Sequence, residues 1–249
     1  MGQAIAAPAA VCTICGRRPV GGMRVSLWGE VTCAVHPVGA RCMFCAHTHA
    51  TQAPPGWRPF IGGTMRCPRC LVGAVETQPE ARLHLPAVRR QLADIGLELP
   101  ERVLVRVVSP EEVHATAGPT PGLTTGVLLG LTEQVIGGRE GRRVIGISVV
   151  AGMPPTYFGR VVAHEIGHAW LALRGREPVD DVIEEGVCEL FAYAWLKRNG
   201  TQLAWALREQ CHANPDPVYG GGFRTVHAAV QTHGISVVLD RLLRTGALP

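Results

Sequence analysis

The 249-residue sequence has no apolar run long enough to cross a bilayer, which removes a membrane-spanning helix and a membrane partner from consideration. Its first residues, Met1 to Val11, are alanine-rich but lack a basic segment followed by a long apolar one. No secretory signal is therefore expected, and a cytoplasmic location is. Gly2 follows Met1, but Ala6 stands where a myristoylation pattern needs Ser or Thr. Lysine is almost missing: Lys197 is the single one among 24 basic residues, a bias that says more about genome composition than about function. With no sign of an oxidising compartment, the nine cysteines read as metal ligands before they read as disulfides.

Seven of those cysteines lie between Cys12 and Cys70, six of them as CxxC pairs. Cys12-x2-Cys15 is followed after seventeen residues by Cys33-x2-His36. Cys42-x2-Cys45 comes five residues later, and Cys67-x2-Cys70 after a further twenty-one. Two intervening residues let both sulfurs of a pair converge on one tetrahedral ion, and two pairs joined by a hairpin complete four ligands. The spacers carry hairpin residues (Gly21-Gly22, Pro54-Pro55-Gly56, Gly62-Gly63). The expectation is two structural zinc (Zn2+) sites, Cys12/Cys15/Cys33/His36 and Cys42/Cys45/Cys67/Cys70, in a double zinc-ribbon module over residues 1–78. His47 and His49 are read as surface residues, each able to replace a neighbouring ligand. Seven Arg against two Glu give this segment a formal +5, which the thiolates around two zinc ions reduce to roughly +2. That disfavours nucleic acid as a partner and leaves a protein partner for the module.

Residues 79–249 are expected to form a second, α+β domain. A helix is expected over 85–95, with Leu85, Val88, Leu92 and Ile95 on one face. Pro79 and Pro86 punctuate the join before it. Three apolar runs, Arg102 to Val108, Leu123 to Leu131 and Arg143 to Val150, predict a small, mostly antiparallel sheet. After Pro154-Pro155, a helix over 156–173, closed by Gly175, carries His164-Glu165-Ile166-Gly167-His168. Histidines four apart leave one helical face together and can share a zinc ion, with Glu165 beside the metal as a base toward its water. The apolar flanks (Val161, Val162, Ile166, Trp170, Leu171) bury this helix, and buried histidines and a glutamate require partners. A catalytic zinc takes three protein ligands. The next helix, over 179–198, offers Glu184-Glu185-Gly186 and, one turn on, Glu189. Glu185 is the expected third ligand and Glu184 the alternative. Glu189 is placed to hold His164 or His168 by the other ring nitrogen. Asp180 and Asp181 suit the helix start. Cys188 and Tyr193 are read as core.

HEIGHAWLAL, EEGVCELFAYAWL, PVYGGGFR and HGISVVLD, in that order, resemble the peptidase domain of the plant LIM-domain peptidases that regulate organ size. Those proteins also place a LIM-type double zinc module before the peptidase. The resemblance implies a gluzincin-like zinc peptidase with His164 and His168 as ligands and Glu165 as base, and its Glu-Gly motif points to Glu185. The first zinc site departs from the LIM order, since His36 follows Cys33, and the link to the second site is longer. No stretch matches the ubiquitin-interacting helices of the plant proteins, so a bacterial relative is expected and activation by ubiquitin is not carried over.

The expected activity is zinc-dependent hydrolysis of peptide bonds in a protein or peptide substrate, in the manner of an endopeptidase. Candidates to face the developing oxyanion are Tyr219, Arg224 and His227, around the glycine stretch at 220–222. Tyr157 is expected to lie too far away. Substrate could add as a strand along the run Leu123 to Leu131. The competing readings are a zinc-module protein that binds protein or nucleic acid on a silent HExxH scaffold, and a zinc hydrolase of non-peptide amides.

Overall fold

The computed structural model describes residues 10–100, 103–117, 127–137, 141–175 and 179–249. The chain divides into two compact units, Met1–Val72 and Gly73–Pro249. The break falls a few residues before the border expected from the cysteine spacing.

The first unit consists of three short antiparallel hairpins: β1 (Met23–Val25) with β2 (Val31–Cys33), β3 (Ala40–Arg41) with β4 (Thr48–His49), and β5 (Arg58–Pro59) with β6 (Met65–Arg66). A one-turn helix, α1 (Pro68–Leu71), follows. Two-stranded ribbons of two or three residues are not stable by themselves in water. The buried residues here include six cysteines beside Val31, Phe44, Trp57 and the hydroxyl residues Ser26, Thr32 and Thr48, so the ligand clusters form a large part of a small core. Polar ties join successive hairpins: Thr32 and Thr48 share a hydroxyl hydrogen bond of 3.0 Å, and Leu27 N donates to Cys45 O at 2.7 Å.

The second unit is mixed α and β, and mostly helical. α2 spans Gln78–Ala93. It begins earlier than expected because Thr77 and Glu80 form a capping box and Pro79 sits in the first turn, where a missing N–H costs nothing. Pro86 lies inside the helix rather than before it. The remaining elements are β7 (Val105–Val108), α3 (Pro110–Ala117), β8 (Gly130–Gly137), β9 (Gly141–Val150), α4 (Pro155–Arg174), α5 (Asp181–Lys197), α6 (Gln202–Ala213), a π-helical turn (Pro217–Gly221), α7 (Gly222–His233) and α8 (Ile235–Thr245). Among the described residues no helix is long and apolar enough to cross a membrane.

The sheet runs β7-β9-β8, with β7 parallel and β8 antiparallel to β9. It is thus evenly mixed, not mostly antiparallel. β7 and β8 are not joined by a hairpin, since α3 intervenes, and the strand next in sequence to β9 is β8. The first part of the run Leu123 to Leu131, residues 123–126, lies outside the described residues. α4 packs on β8 and β9 and against α5. Phe158, Val162, Ile166 and Trp170 recur at helical spacing on α4 and are all buried.

Glycines set how closely the helices approach. A Cβ on Gly167 of α4 would lie 2.9 Å from Cys188 Cα of α5, and one on Gly186 of α5 would lie 2.4 Å from the Gly222 carbonyl of α7. Gly186→Ala should therefore push α7 away from α5, lowering stability by about 1–3 kcal/mol through overpacking. Equilibrium denaturation of the two proteins measures this, and equal midpoints would contradict the packing described.

Candidate metal centres

In the first unit, Cys12, Cys15, Cys33 and His36 offer ligand atoms all within 4.8 Å of one another, and so do Cys42, Cys45, Cys67 and Cys70. The local backbone is shaped around the sulfurs. Ile14 N and Cys33 N each lie 3.4 Å from Cys12 Sγ, and Cys67 N lies 3.4 Å from Cys42 Sγ, so these N–H groups donate to the leading sulfur of each cluster. Burial acts to raise the Cys12 thiol, but the N–H groups of Cys15, Cys33 and Ile14 outweigh it and lower the pKa to about 6. In the four-sulfur cluster, hydrogen bonds from Cys45, Cys67 and Cys70 lower Cys42, while Cys42 raises Cys45 and Cys70. Without a cation so many adjacent sulfurs cannot all be thiolates. His36 Nε2 is buried with no hydrogen-bond partner, as a ligand nitrogen would be. Both clusters fit a zinc-type ion.

His47 and His49 take no part in either cluster. His47 Nδ1 is 2.9 Å from Glu30 Oε2, and His49 Nδ1 is 3.1 Å from the Thr51 hydroxyl. Trp28 Nε1 donates to Cys70 Sγ at 3.3 Å, and the Arg69 guanidinium lies over the Trp28 ring at 4.5 Å. Arg24 closes the first cluster by donating to the carbonyls of Cys33, Ala34 and His36.

The third cluster lies in the second unit, between α4 and α5. His164 and His168 project from α4 with ring centroids 5.1 Å apart. Glu185 of α5 presents one oxygen to each: Oε2 lies 3.2 Å from His164 Nε2, and Oε1 lies 3.6 Å from His168 Nε2. The other ring nitrogens meet two further carboxylates. His164 Nδ1 is 3.1 Å from Glu189 Oε1, and His168 Nδ1 is 2.9 Å from Glu184 Oε1. Glu184, the alternative third ligand, thus sits on the far side of His168 from Glu185. Glu185 Oε2 and His164 Nδ1 are buried without an aligned hydrogen bond, although charged partners are within reach. For Glu185 Oε2, an atom aimed at a point it shares with the two Nε2 nitrogens, rather than straight at either, has this geometry. His164, His168 and Cys188 also bring ligand atoms within 4.8 Å of one another. Cys188 is fully buried, and that burial, first among several influences, raises its thiol to about 12.

The electrostatics follow from this packing. Burial acts to lower His164, but Glu185 and Glu189 outweigh it and raise its pKa to about 9. His168 is raised well above the ordinary imidazole value against the same burial, with Cys188, Glu184 and Glu185 as the causes. Glu185 is lowered to about 2 against burial by the two imidazoles. Glu189 is lowered to about 2 against burial by Arg160 and His164. Arg160 was not singled out in the sequence. It stands one turn before His164 on α4, and its Nη2 donates to both Glu189 oxygens at 3.1 and 2.9 Å. Its place four residues from His164 was the available signal.

Glu165 is buried and leans on β8. The Thr132 hydroxyl lies 2.8 Å from Glu165 Oε2 and 2.9 Å from its backbone oxygen, and a Cβ on Gly130 would come within 2.6 Å of Oε1. Thr132 and Gly130 carried no motif, so only the fold brings them here.

Of the three oxyanion candidates, the structure brings one to the histidines. The Tyr219 ring centroid is 6.2 Å from that of His164, and burial with the Glu185 charge raises its phenol to about 12. Asp216 fixes the turn by accepting from Val218 N and Tyr219 N at 2.8 and 2.9 Å. Arg224 is directed elsewhere: Nη1 donates to the carbonyls of His212 and Asn214 at the end of α6. His227 stacks on Phe223, with ring centroids 5.3 Å apart, and packs edge-on to Tyr193 and His212. The glycines do not form a loop facing the metal residues. They wind into the π-helical turn and α7, so the residues beyond Tyr219 point to other faces. Tyr157 lies beside Arg160, with the guanidinium 5.7 Å from the ring centroid.

Comparison with known proteins adds the kinship. A family model described as "DA1-like: Protein DA1" matches residues 87–205, which include α4 and α5. The chain is 26% identical to Protein DA1 of Arabidopsis thaliana over 71% of its own length and 36% of the relative's. It is 23% identical to Protein DA1-related 2 of the same plant over 89% of its length and 54% of the relative's. To the LIM domain-containing protein HDR3 of Oryza sativa subsp. japonica it is 22% identical, over 89% of its length and 57% of the relative's. The chain therefore spans between about a third and three fifths of these relatives. Likeness to the DA1-like proteins is supported by both the family model and the relatives. No solved structure matches the chain.

Six cluster cysteines are among the buried side chains of the first unit, and its hairpins are too short to hold by themselves. Stripping metal with a strong chelator should therefore unfold residues 10–72 while leaving the second unit compact. Limited proteolysis reads this out, and a first unit that stays protease-resistant without metal would contradict it.

Proposed function

We propose that this chain is a zinc-dependent peptidase, with His164, His168 and Glu185 as ligands of one zinc ion and two further zinc ions held by the cysteine clusters. The observation that carries the reading is the convergence of two imidazole Nε2 atoms and one carboxylate between α4 and α5, with each outer Nδ1 backed by its own glutamate. Metal-bound histidines are usually oriented by a carboxylate or carbonyl on the other nitrogen, and Glu189 and Glu184 suit that role. The donor set fits zinc, which accepts nitrogen and carboxylate oxygen and leaves a position for a reactant. Glu185 presents one oxygen to each Nε2 nitrogen, which favours it over Cys188 as the third ligand.

Zinc bound there would supply a Lewis acid that polarises a carbonyl and acidifies water. The protein's own residues do the rest. Glu165 takes a proton from the attacking water on its carboxylate and returns it to the leaving amine. Thr132 and Gly130 fix the direction of that carboxylate from β8. Tyr219, kept protonated by its raised pKa, donates its O–H to the developing oxyanion. Arg160 anchors Glu189, which in turn holds His164 in one ring orientation. β8, an edge strand beside Glu165, offers backbone groups to an extended peptide.

Hydrolysis of labelled casein and a peptide library, run beside small amides, tests the reading. Glu165→Gln should keep its zinc and lose at least about a hundredfold in rate. Equal activity in the two proteins would remove Glu165 from the mechanism, and turnover of small amides alone would remove the peptide substrate. Glu185→Ala should lose one zinc per chain, while Cys188→Ala should lose none. The reverse pattern would make Cys188 the ligand.

A further inference from the structure

The two cysteine clusters of the first unit differ in what solvent reaches. In the second, Cys42, Cys45, Cys67 and Cys70 are each at most 2% exposed. In the first, Cys12 and Cys33 are as deeply buried, but His36 is only half-buried and Cys15 is exposed. The neighbours of Cys15 in the same turn, Thr13, Gly16, Arg17 and Arg18, are exposed as well.

The sulfurs also differ in their partners. Ile14 N and Cys33 N donate to Cys12 Sγ, each at 3.4 Å. In the other cluster Cys67 N donates to Cys42 Sγ at 3.4 Å. Trp28 Nε1 donates to Cys70 Sγ at 3.3 Å, with the Arg69 guanidinium lying over the indole. Donors and a packed shell around a ligating sulfur draw off its electron density and keep reactants away. Among the described residues no N–H donates to Cys15 Sγ, whose close contact is Cys33 Sγ at 3.9 Å. Arg17 and Arg18 follow Cys15 by two and three positions. An exposed thiolate in basic surroundings is the kind that oxidants attack.

We propose that Cys15 is an oxidant-sensitive thiol which, on reaction with hydrogen peroxide, forms a disulfide with Cys33 and so empties the first zinc site while the second keeps its ion. The Cys15 thiolate attacks one peroxide oxygen, and the O–O bond breaks. The departing oxygen takes a proton and leaves as water, and Cys15 becomes a sulfenic acid. The Cys33 thiolate then attacks the Cys15 sulfur, forming the S–S bond and displacing hydroxide, which a second proton converts to water. The two sulfurs together lose two electrons, and the peroxide gains them. Cys12 and His36 remain, too few to hold a tetrahedral ion. A dithiol reductant with added zinc reverses the change. The inference rests on zinc in this cluster and is independent of the histidine pair on α4.

Peroxide treatment of the full, zinc-loaded chain tests the proposal, with a chromophoric chelator reading zinc release and mass spectrometry locating the oxidised cysteines after alkylation. About one zinc per chain should be released in the fast phase, with Cys15 and Cys33 joined and the sulfurs of Cys42, Cys45, Cys67 and Cys70 still reduced. Cys15→His keeps a zinc ligand but removes the exposed thiol, and should slow that release by about tenfold or more. If that variant fails to load zinc, the order of oxidation in the wild type decides alone. Oxidation first in the second cluster or at the buried Cys188 or Cys211, release of both cluster ions together, or no release by peroxide would each overturn the proposal. Before any peroxide, Cys33→Ser should hold one zinc fewer than the wild type. Equal zinc in those two proteins would remove metal from the first cluster, and the proposal with it.

Discussion

Two imidazoles and three carboxylates share the space between α4 and α5, and the second unit is arranged so that their charges cancel. A lone buried ion is costly, whereas a set of opposite charges with fixed geometry is tolerated. Gly167 lets α4 and α5 meet closely enough for this, and Gly186 lets α7 close on α5. Arg160 supplies one fixed positive charge, against Glu189. The rest of the compensation must come from protons or from a cation. The same negative surroundings that raise His164 to about 9 are those that would attract a divalent ion in place of the protons. Everything nearby, from the β8 contact on Glu165 to the turn that carries Tyr219, is positioned by the elements that pack around this pair of helices.

The first unit solves a similar problem in another way. It has too few residues for a large apolar core, so the thiols replace one, and the backbone N–H groups around Cys12 and Cys42 favour the ionised sulfur. The proton sharing within the four-sulfur cluster has the same meaning as the raised histidines of the second unit. Acceptor groups crowded beyond what water or protons satisfy call for a cation.

What the sequence disclosed follows from distance along the chain. CxxC spacing and the four-residue histidine interval are local, and the geometry of a turn or a helix dictates where such side chains go. The acidic helix was legible because Glu184, Glu185 and Glu189 follow on the next element. Contacts set by tertiary packing were not legible. Thr132 and Gly130 reach Glu165 across more than thirty positions of sequence through the pairing of β8. Arg224 and His227 resembled active-site donors because they follow a glycine stretch, yet the helical winding of that stretch turns them toward α6 and Tyr193. The parallel pairing of β7 with β9 also escaped, because a strand run shows its alternation but not its partner.

The central claim is that the histidine pair forms a metal site separate from the two cysteine clusters, and elemental analysis of zinc per folded chain tests it most directly. The account predicts three zinc ions in the wild type and two in His168→Ala, with the fold of both units retained. Two ions in each protein would contradict it, leaving metal to the cysteine clusters and the α4–α5 cluster as a set of buried ion pairs.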